Sequence, residues 1–257
     1  MTAPIPRDIP DLPALPRTRS RLLPSAVPAR AVVPLVRRPV AAAYRLVLAL
    51  TATGAVLVEV LLGSPARALS HFTVQSAIVL ALVMLASARR AWCARHPLPG
   101  AVTGAALLYV ITASLVHHLL LTDATPHIFL TATTSSAPSW PVPLAAHTLH
   151  TVLPVAALLD WLLLTPPAGT HLRQAPAWLL YPLAYLAFSL ARGELLPHSP
   201  DRYLYPFLDV ARHGYRGVLA NALLIGLAFY ALAVLLVALD HTRPNPVRRR
   251  SKTGFRL

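Results

Sequence analysis

Residues 145–164, AAHTLHTVLPVAALLDWLLL, form an apolar run of twenty residues that nevertheless carries His147, His150 and Asp160. About 20 helical residues at 1.5 Å each are needed to cross the roughly 30 Å hydrocarbon core of a bilayer. His147 and His150 are three residues apart, one turn apart on one face of a regular helix. Ionisable side chains are costly inside such a segment, so they mark a functional site by default.

Five more apolar blocks share this character, over residues 41–63, 69–87, 101–121, 175–190 and 218–239. Hydrophobic residues make up 56% of the chain and charged residues only 12%, against about a quarter charged in soluble proteins. The mean hydropathy is +0.58. The fold class this implies is all-α: a polytopic membrane protein whose residues 41–240 form a six-transmembrane-helix bundle. Residues 1–40 are rich in proline and arginine and read as a disordered cytoplasmic tail, because frequent prolines forbid a continuous helix. Arg37 and Arg38 precede an apolar run longer than the 7–15 residues or so of a signal h-region, so that run reads as an anchor. Residues 241–257 read as a polybasic cytoplasmic tail.

The formal charge of +14 does not imply nucleic acid, because the positive residues sit in the tails and short connections. Of the 23 Lys and Arg residues, 18 fall on one side of a six-span topology, and the positive-inside rule then puts both termini in the cytoplasm. The tail residues Arg248, Arg249, Arg250 and Lys252 suit anionic inner-leaflet lipid, at about 1 kcal/mol per charge. Twenty-two arginines against the single Lys252, with abundant Ala, Leu and Pro, resemble the output of a GC-rich bacterial genome, which points to a multi-pass protein of the plasma membrane. The single cysteine, Cys93, excludes an intramolecular disulfide and a thiolate-cluster metal site.

In that topology Glu59, His117 and His118 lie near the outer ends of outward-running spans. Thr73, Gln75, His147, His150 and Asn221 lie in the outer parts of inward-running spans. A polar pocket in the outer third of the bundle follows. The connection over residues 122–143 has no Lys or Arg and holds Asp123 and His127. Asp160 and Asp240 are expected to face headgroup water at the cytoplasmic ends, and Trp140, Tyr203, Tyr205 and Phe207 to form an interfacial aromatic belt.

Three blocks, HFTVQS at 71–76, HTLHTVLP at 147–154 and YPFLD at 205–209, together resemble the androgen-induced family of six-helix integral membrane hydrolases. The resemblance spans roughly residues 41–240 and implies a bacterial branch of that family, whose animal members hydrolyse fatty acid esters of hydroxy fatty acids. It implies Thr73 as nucleophile and His150 as its partner, and assigns no role to His147 or the 205–209 block. The alanine-rich run after Ser76, the loops and the long N-terminal tail depart from the family. The expected function is therefore a threonine-nucleophile lipid ester hydrolase acting in or near the outer leaflet. Membrane lipids and a lipid-like ester are its expected partners, with no cofactor and no metal. Gln75, Glu59, His117, His118, His147 and Asn221 would support the pocket. The chemistry is permissible: a threonine hydroxyl becomes a nucleophile when a base within about 2.6–3.2 Å takes its proton, and histidine is the usual base near neutral pH. No GxSxG elbow, P-loop or GxGxxG occurs in the chain, so the usual soluble hydrolase and nucleotide readings lack support.

Other readings compete. His147, His150, one of His117 and His118, and Glu59 could hold zinc or a haem, although an i,i+3 pair is less usual than the i,i+4 of HExxH. A transporter would show broken helices or paired repeats, which the sequence lacks, and a non-catalytic lipid-binding scaffold would keep the same pocket. The plain alternatives are histidines that only tie helices together and a Thr73 hydroxyl bonded to its own helix.

Overall fold

A computed structural model describes residues 36–121, 140–167, 169–198 and 202–243. The N-terminal tail before residue 36, the connection with Asp123 and His127, and the polybasic segment after residue 243 lie outside the described residues. All regular structure among the described residues is helical. Five helices are long and apolar enough to cross a membrane: α1 (Pro39–Leu62), α3 (Phe72–Trp92), α4 (Gly100–Leu121), α5 (Pro141–Leu164) and α8 (Val210–Thr242). Between α1 and α3 lies the short α2 (Pro65–Ser70).

The sixth expected span departs from a single rod. It is divided into α6 (Ala175–Trp178) and α7 (Leu180–Leu195), with Leu179 at φ −77°, ψ −15° between them. Sixteen residues of α7 reach about 24 Å, short of the roughly 30 Å of a hydrocarbon core. Pro182 in its first turn supplies no amide to bridge the break.

Packing follows the small residues. Ala41, Ala42, Ala49, Ala52 and Ala55 lie with Leu48 and Val56 on one buried stripe of α1, spaced as a helix face requires. Small side chains let helix backbones approach closely, and α1 and α3 form the most extensively packed pair, closed at one end by Arg38 N–H donating to Ala91 C=O at 3.1 Å. The opposite face of α1 is apolar yet uncovered: Leu50 is 62% exposed and Leu61 75%. Such a surface suits lipid rather than water. Gly104 on α4 serves a close approach, since a Cβ there would lie 2.7 Å from the Trp178 ring. That indole donates to Ala101 C=O at 2.9 Å, and Tyr109 Oη donates to Trp178 C=O at 3.0 Å, docking α6 on α4.

The two ends of the bundle differ. At one end Asp160 and Asp240 are buried rather than facing headgroup water, which corrects the expectation for both. Asp160 pairs with Arg45 at 2.8 Å and accepts the Thr165 hydroxyl at 3.1 Å. Asp240 accepts the amide and hydroxyl of Thr170 at 3.0 and 2.8 Å and pairs with Arg243, whose guanidinium lies over the Trp161 ring. Arg45 also donates to the Thr165 hydroxyl at 3.2 Å, and Arg243 donates to the carbonyls of Trp161 and Thr165. Paired cations make burial of the carboxylates tolerable: Arg45 reaches Asp160 from another helix, and Arg243 reaches Asp240 from three residues along the chain.

Candidate functional site

Histidines and tyrosines gather at the opposite end of the bundle, around the start of α3. α5 is not a uniform α-helix there. Residues Thr148–Val152 form a π turn, closed by Leu153 N–H donating to Thr148 C=O. The cause is in the sequence. Pro154 has no N–H for the carbonyl four residues before it, that of His150, and the Ser114 hydroxyl of α4 donates to that carbonyl instead, at 2.6 Å. π turns are rare and concentrate at functional sites. Two more, His117–Leu121 and Asp160–Leu164, end α4 and α5.

The widened turn separates the two histidines of HTLH. Three residues in a π turn sweep less angle than in an α-helix, so His150 is buried at 2% exposure whereas His147 is exposed. The imidazole of His150 stacks on His117, with centroids 3.7 Å apart and planes 13° apart. His118 is exposed and turns outward, its Nε2 3.2 Å from the Thr151 hydroxyl. Face-to-face imidazoles do not converge their nitrogens on one point, and among the described residues no three His, Cys, Asp or Glu are placed to hold a metal ion.

His71 stands immediately before α3. It is 2% exposed. Burial, helped by the Arg67 and Arg192 guanidinium groups, lowers it to about 4, so its ring is neutral near pH 7. The edge of His71 meets Tyr205, with centroids 5.9 Å apart and planes at 86°.

Thr73 occupies the first turn of α3 and is 5% exposed. Other threonines in these helices satisfy their hydroxyls locally: Thr51, Thr53, Thr112 and Thr148 each donate to the carbonyl four residues back. Thr73 does not: it stands at the second position of α3, so the residue four back, Leu69, lies in the preceding short helix, where its carbonyl accepts the Gln75 side-chain amide at 2.9 Å. Thr73 instead lines a cavity of about 580 Å³ whose walls are almost wholly apolar, among them Phe72, Val116, Tyr185, Tyr205, Phe207 and Phe229.

Four tyrosines flank this wall. Tyr109, Tyr181 and Tyr185 pack their rings on Phe72 with centroids 6.4, 5.4 and 5.2 Å away. Tyr181 donates to Gln75 Oε1 at 2.8 Å, and Tyr185 to Ser70 C=O at 2.9 Å. Tyr205 stacks on Phe207 at 5.2 Å. Burial pushes its phenol above the ordinary value, and the Thr73 hydroxyl with the amides of Phe72 and Thr73 partly offsets this. Tyr205 therefore belongs to the core and not to an interfacial belt, whereas Trp140, 75% exposed, suits one.

The structure thus brings Thr73, Gln75 and the tyrosines to one wall with His71, and stacks His117 on His150. Asn221 supports the first group, donating to Phe207 C=O at 3.1 Å. Glu59 is buried near the end of α1 with its Oε1 lacking a hydrogen-bond partner among the described residues. His147 stands apart from all of these.

Sequence reasoning missed Ser114, His71 and the core role of Tyr205. The proline four residues after His150 was the signal that could have led to Ser114, since it announces a freed carbonyl. Comparison with protein-family models, with curated proteins and with solved structures finds no match.

Proposed function

We propose that the protein is a six-span membrane hydrolase, with both termini cytoplasmic, that cleaves lipid esters using Thr73 as nucleophile and His150 as base. One observation carries this reading: Thr73, unlike Thr51, Thr53, Thr112 and Thr148 on the other helices, does not give its hydroxyl to the carbonyl four residues back, and it lines an apolar cavity of about 580 Å³. Such a chamber suits an acyl chain, with the reactive oxygen at its polar wall. The resemblance of the 71–76, 147–154 and 205–209 blocks to the androgen-induced family points the same way.

In the proposed reaction His150 takes the Thr73 proton as the hydroxyl oxygen attacks the ester carbonyl carbon. The carbonyl π electrons move to oxygen. Collapse of this oxyanion re-forms the carbonyl and breaks the bond to the alkoxy oxygen, which leaves with the proton from His150. Water then attacks the acyl-threonine, giving its proton to His150, and a second collapse returns the proton to Thr73 and releases the carboxylic acid. The sixth crossing is α6 with α7, and the 18 of 23 basic residues on one side support the orientation. Plasma-membrane residence belongs to the same proposal.

The test is a fluorophosphonate probe on detergent-purified protein. Wild type is expected to label and Thr73→Ala to remain unlabelled; undiminished labelling of the variant would remove Thr73 from the role.

A further inference from the structure

We propose that Tyr205 is a further catalytic residue, whose hydroxyl donates the hydrogen bond that receives the substrate carbonyl oxygen as Thr73 attacks. This rests on the reading of Thr73 as nucleophile.

The argument begins with the hydroxyls available at this wall. Tyr109, Tyr181 and Tyr185 have committed theirs to the Trp178 carbonyl, Gln75 Oε1 and the Ser70 carbonyl. Tyr205 is the remaining tyrosine of the group. It lines the same cavity as Thr73, and the groups around its oxygen are the Thr73 and Tyr185 hydroxyls and the amides of Phe72 and Thr73. The phenolic oxygen thus lies where the polar wall meets the chamber, beside the nucleophile.

Its position is fixed from several sides. His71 and Tyr185 meet the ring edge-on at 5.9 and 6.2 Å, Phe207 stacks on it at 5.2 Å, and the residue is 6% exposed. A donor held rigidly before the reaction is what stabilises developing negative charge most effectively, because it need not reorganise. The amides beside it open α3, where no side chain caps the helix and first-turn amides have no intrahelical acceptor. They add positive potential at the same spot. A carbonyl oxygen entering here would meet the phenol while its carbon faced Thr73.

Tyr205→Phe removes only the oxygen and keeps the ring contacts. With a p-nitrophenyl fatty-acyl ester as substrate, it is expected to lower kcat about 100-fold, the usual effect of deleting one such donor, with KM changed less than about two-fold. A trifluoromethyl ketone, which forms the tetrahedral oxyanion on the nucleophile, should lose about 100-fold in affinity. A non-hydrolysable ether of the same chain should bind as before, which a merely structural role would not separate. Should Tyr205→Phe fail to fold, 3-fluorotyrosine at position 205 keeps the hydroxyl while making it more acidic, and is expected to tighten trifluoromethyl ketone binding; unchanged affinity would overturn the proposal. Wild-type turnover in a folded Tyr205→Phe, beside an inactive Thr73→Ala, overturns the role of Tyr205 alone. Activity retained by Thr73→Ala overturns the underlying reading instead.

Discussion

At the scale of single residues, the local hydrogen-bond arrangement decides which polar groups are available for chemistry. His150 and His147 sit three residues apart in the sequence, yet a π turn buries one and exposes the other. His150→Ala is therefore expected to slow fluorophosphonate labelling by about 100-fold or more, the usual contribution of a general base, while His147→Ala labels at close to the wild-type rate. Equal losses would show that burial does not distinguish them. Ser114→Ala leaves the His150 carbonyl without its donor, at a cost of about 1–3 kcal/mol, readable as a lower thermal midpoint. His71 gives a pH dependence with a definite sign. Its ring is held neutral, lowered to about 4, whereas the unfolded chain protonates near the ordinary value of about 6.5. Stability is thus fully present above that value and falls as pH drops from about 6.5 towards 4. His71→Phe should flatten part of this fall between about pH 6.5 and pH 4; an unaltered slope would assign the dependence to other groups.

At the scale of helices, the apolar runs and their caps were legible, and their pairings were not. Long apolar blocks separated by Pro, Gly and Arg read directly as helices, because 20 or so residues without breakers can satisfy their backbone only that way in lipid. Thr73 and His150 stood out because hydroxyl and imidazole groups are anomalies against such a background. The break at Leu179 escaped detection, since it stems from two prolines and from docking of Trp178 against Gly104 on a distant helix. The burial of Asp160 escaped for the same reason: its partner Arg45 is 115 residues away. Asp160→Leu leaves that guanidinium buried and unpaired, and should cost about 3–5 kcal/mol, whereas the double variant Arg45→Leu/Asp160→Leu should recover much of the loss. Thermal melts of the two variants in detergent measure this directly, and a double variant no more stable than the single would show that the pair matters for more than mutual neutralisation. The start of α8 bends where Gly214 adopts φ +65°, a conformation that other residues rarely take. The bend follows Asp209, which caps the helix through the Ala211 amide at 2.9 Å.

At the scale of the whole molecule, a bundle with an apolar exterior carries its buried ion pairs at one end. Imidazoles, phenols and the Thr73 hydroxyl occupy the other. That polarity fits a protein fixed in a bilayer, where each end meets a different aqueous phase. Cys93, exposed just after α3, is a native reporter of the orientation. A membrane-impermeant maleimide added to intact cells should leave it unlabelled and label it after permeabilisation, and labelling before permeabilisation would invert the topology. The central claim concerns Thr73 itself, a buried residue at the start of α3 that lines a lipid-sized chamber. Peptide mass spectrometry of fluorophosphonate-treated protein tests it most directly. The expected result is one covalent phosphonyl group on Thr73; an adduct on another residue, with Thr73 unmodified, would contradict it.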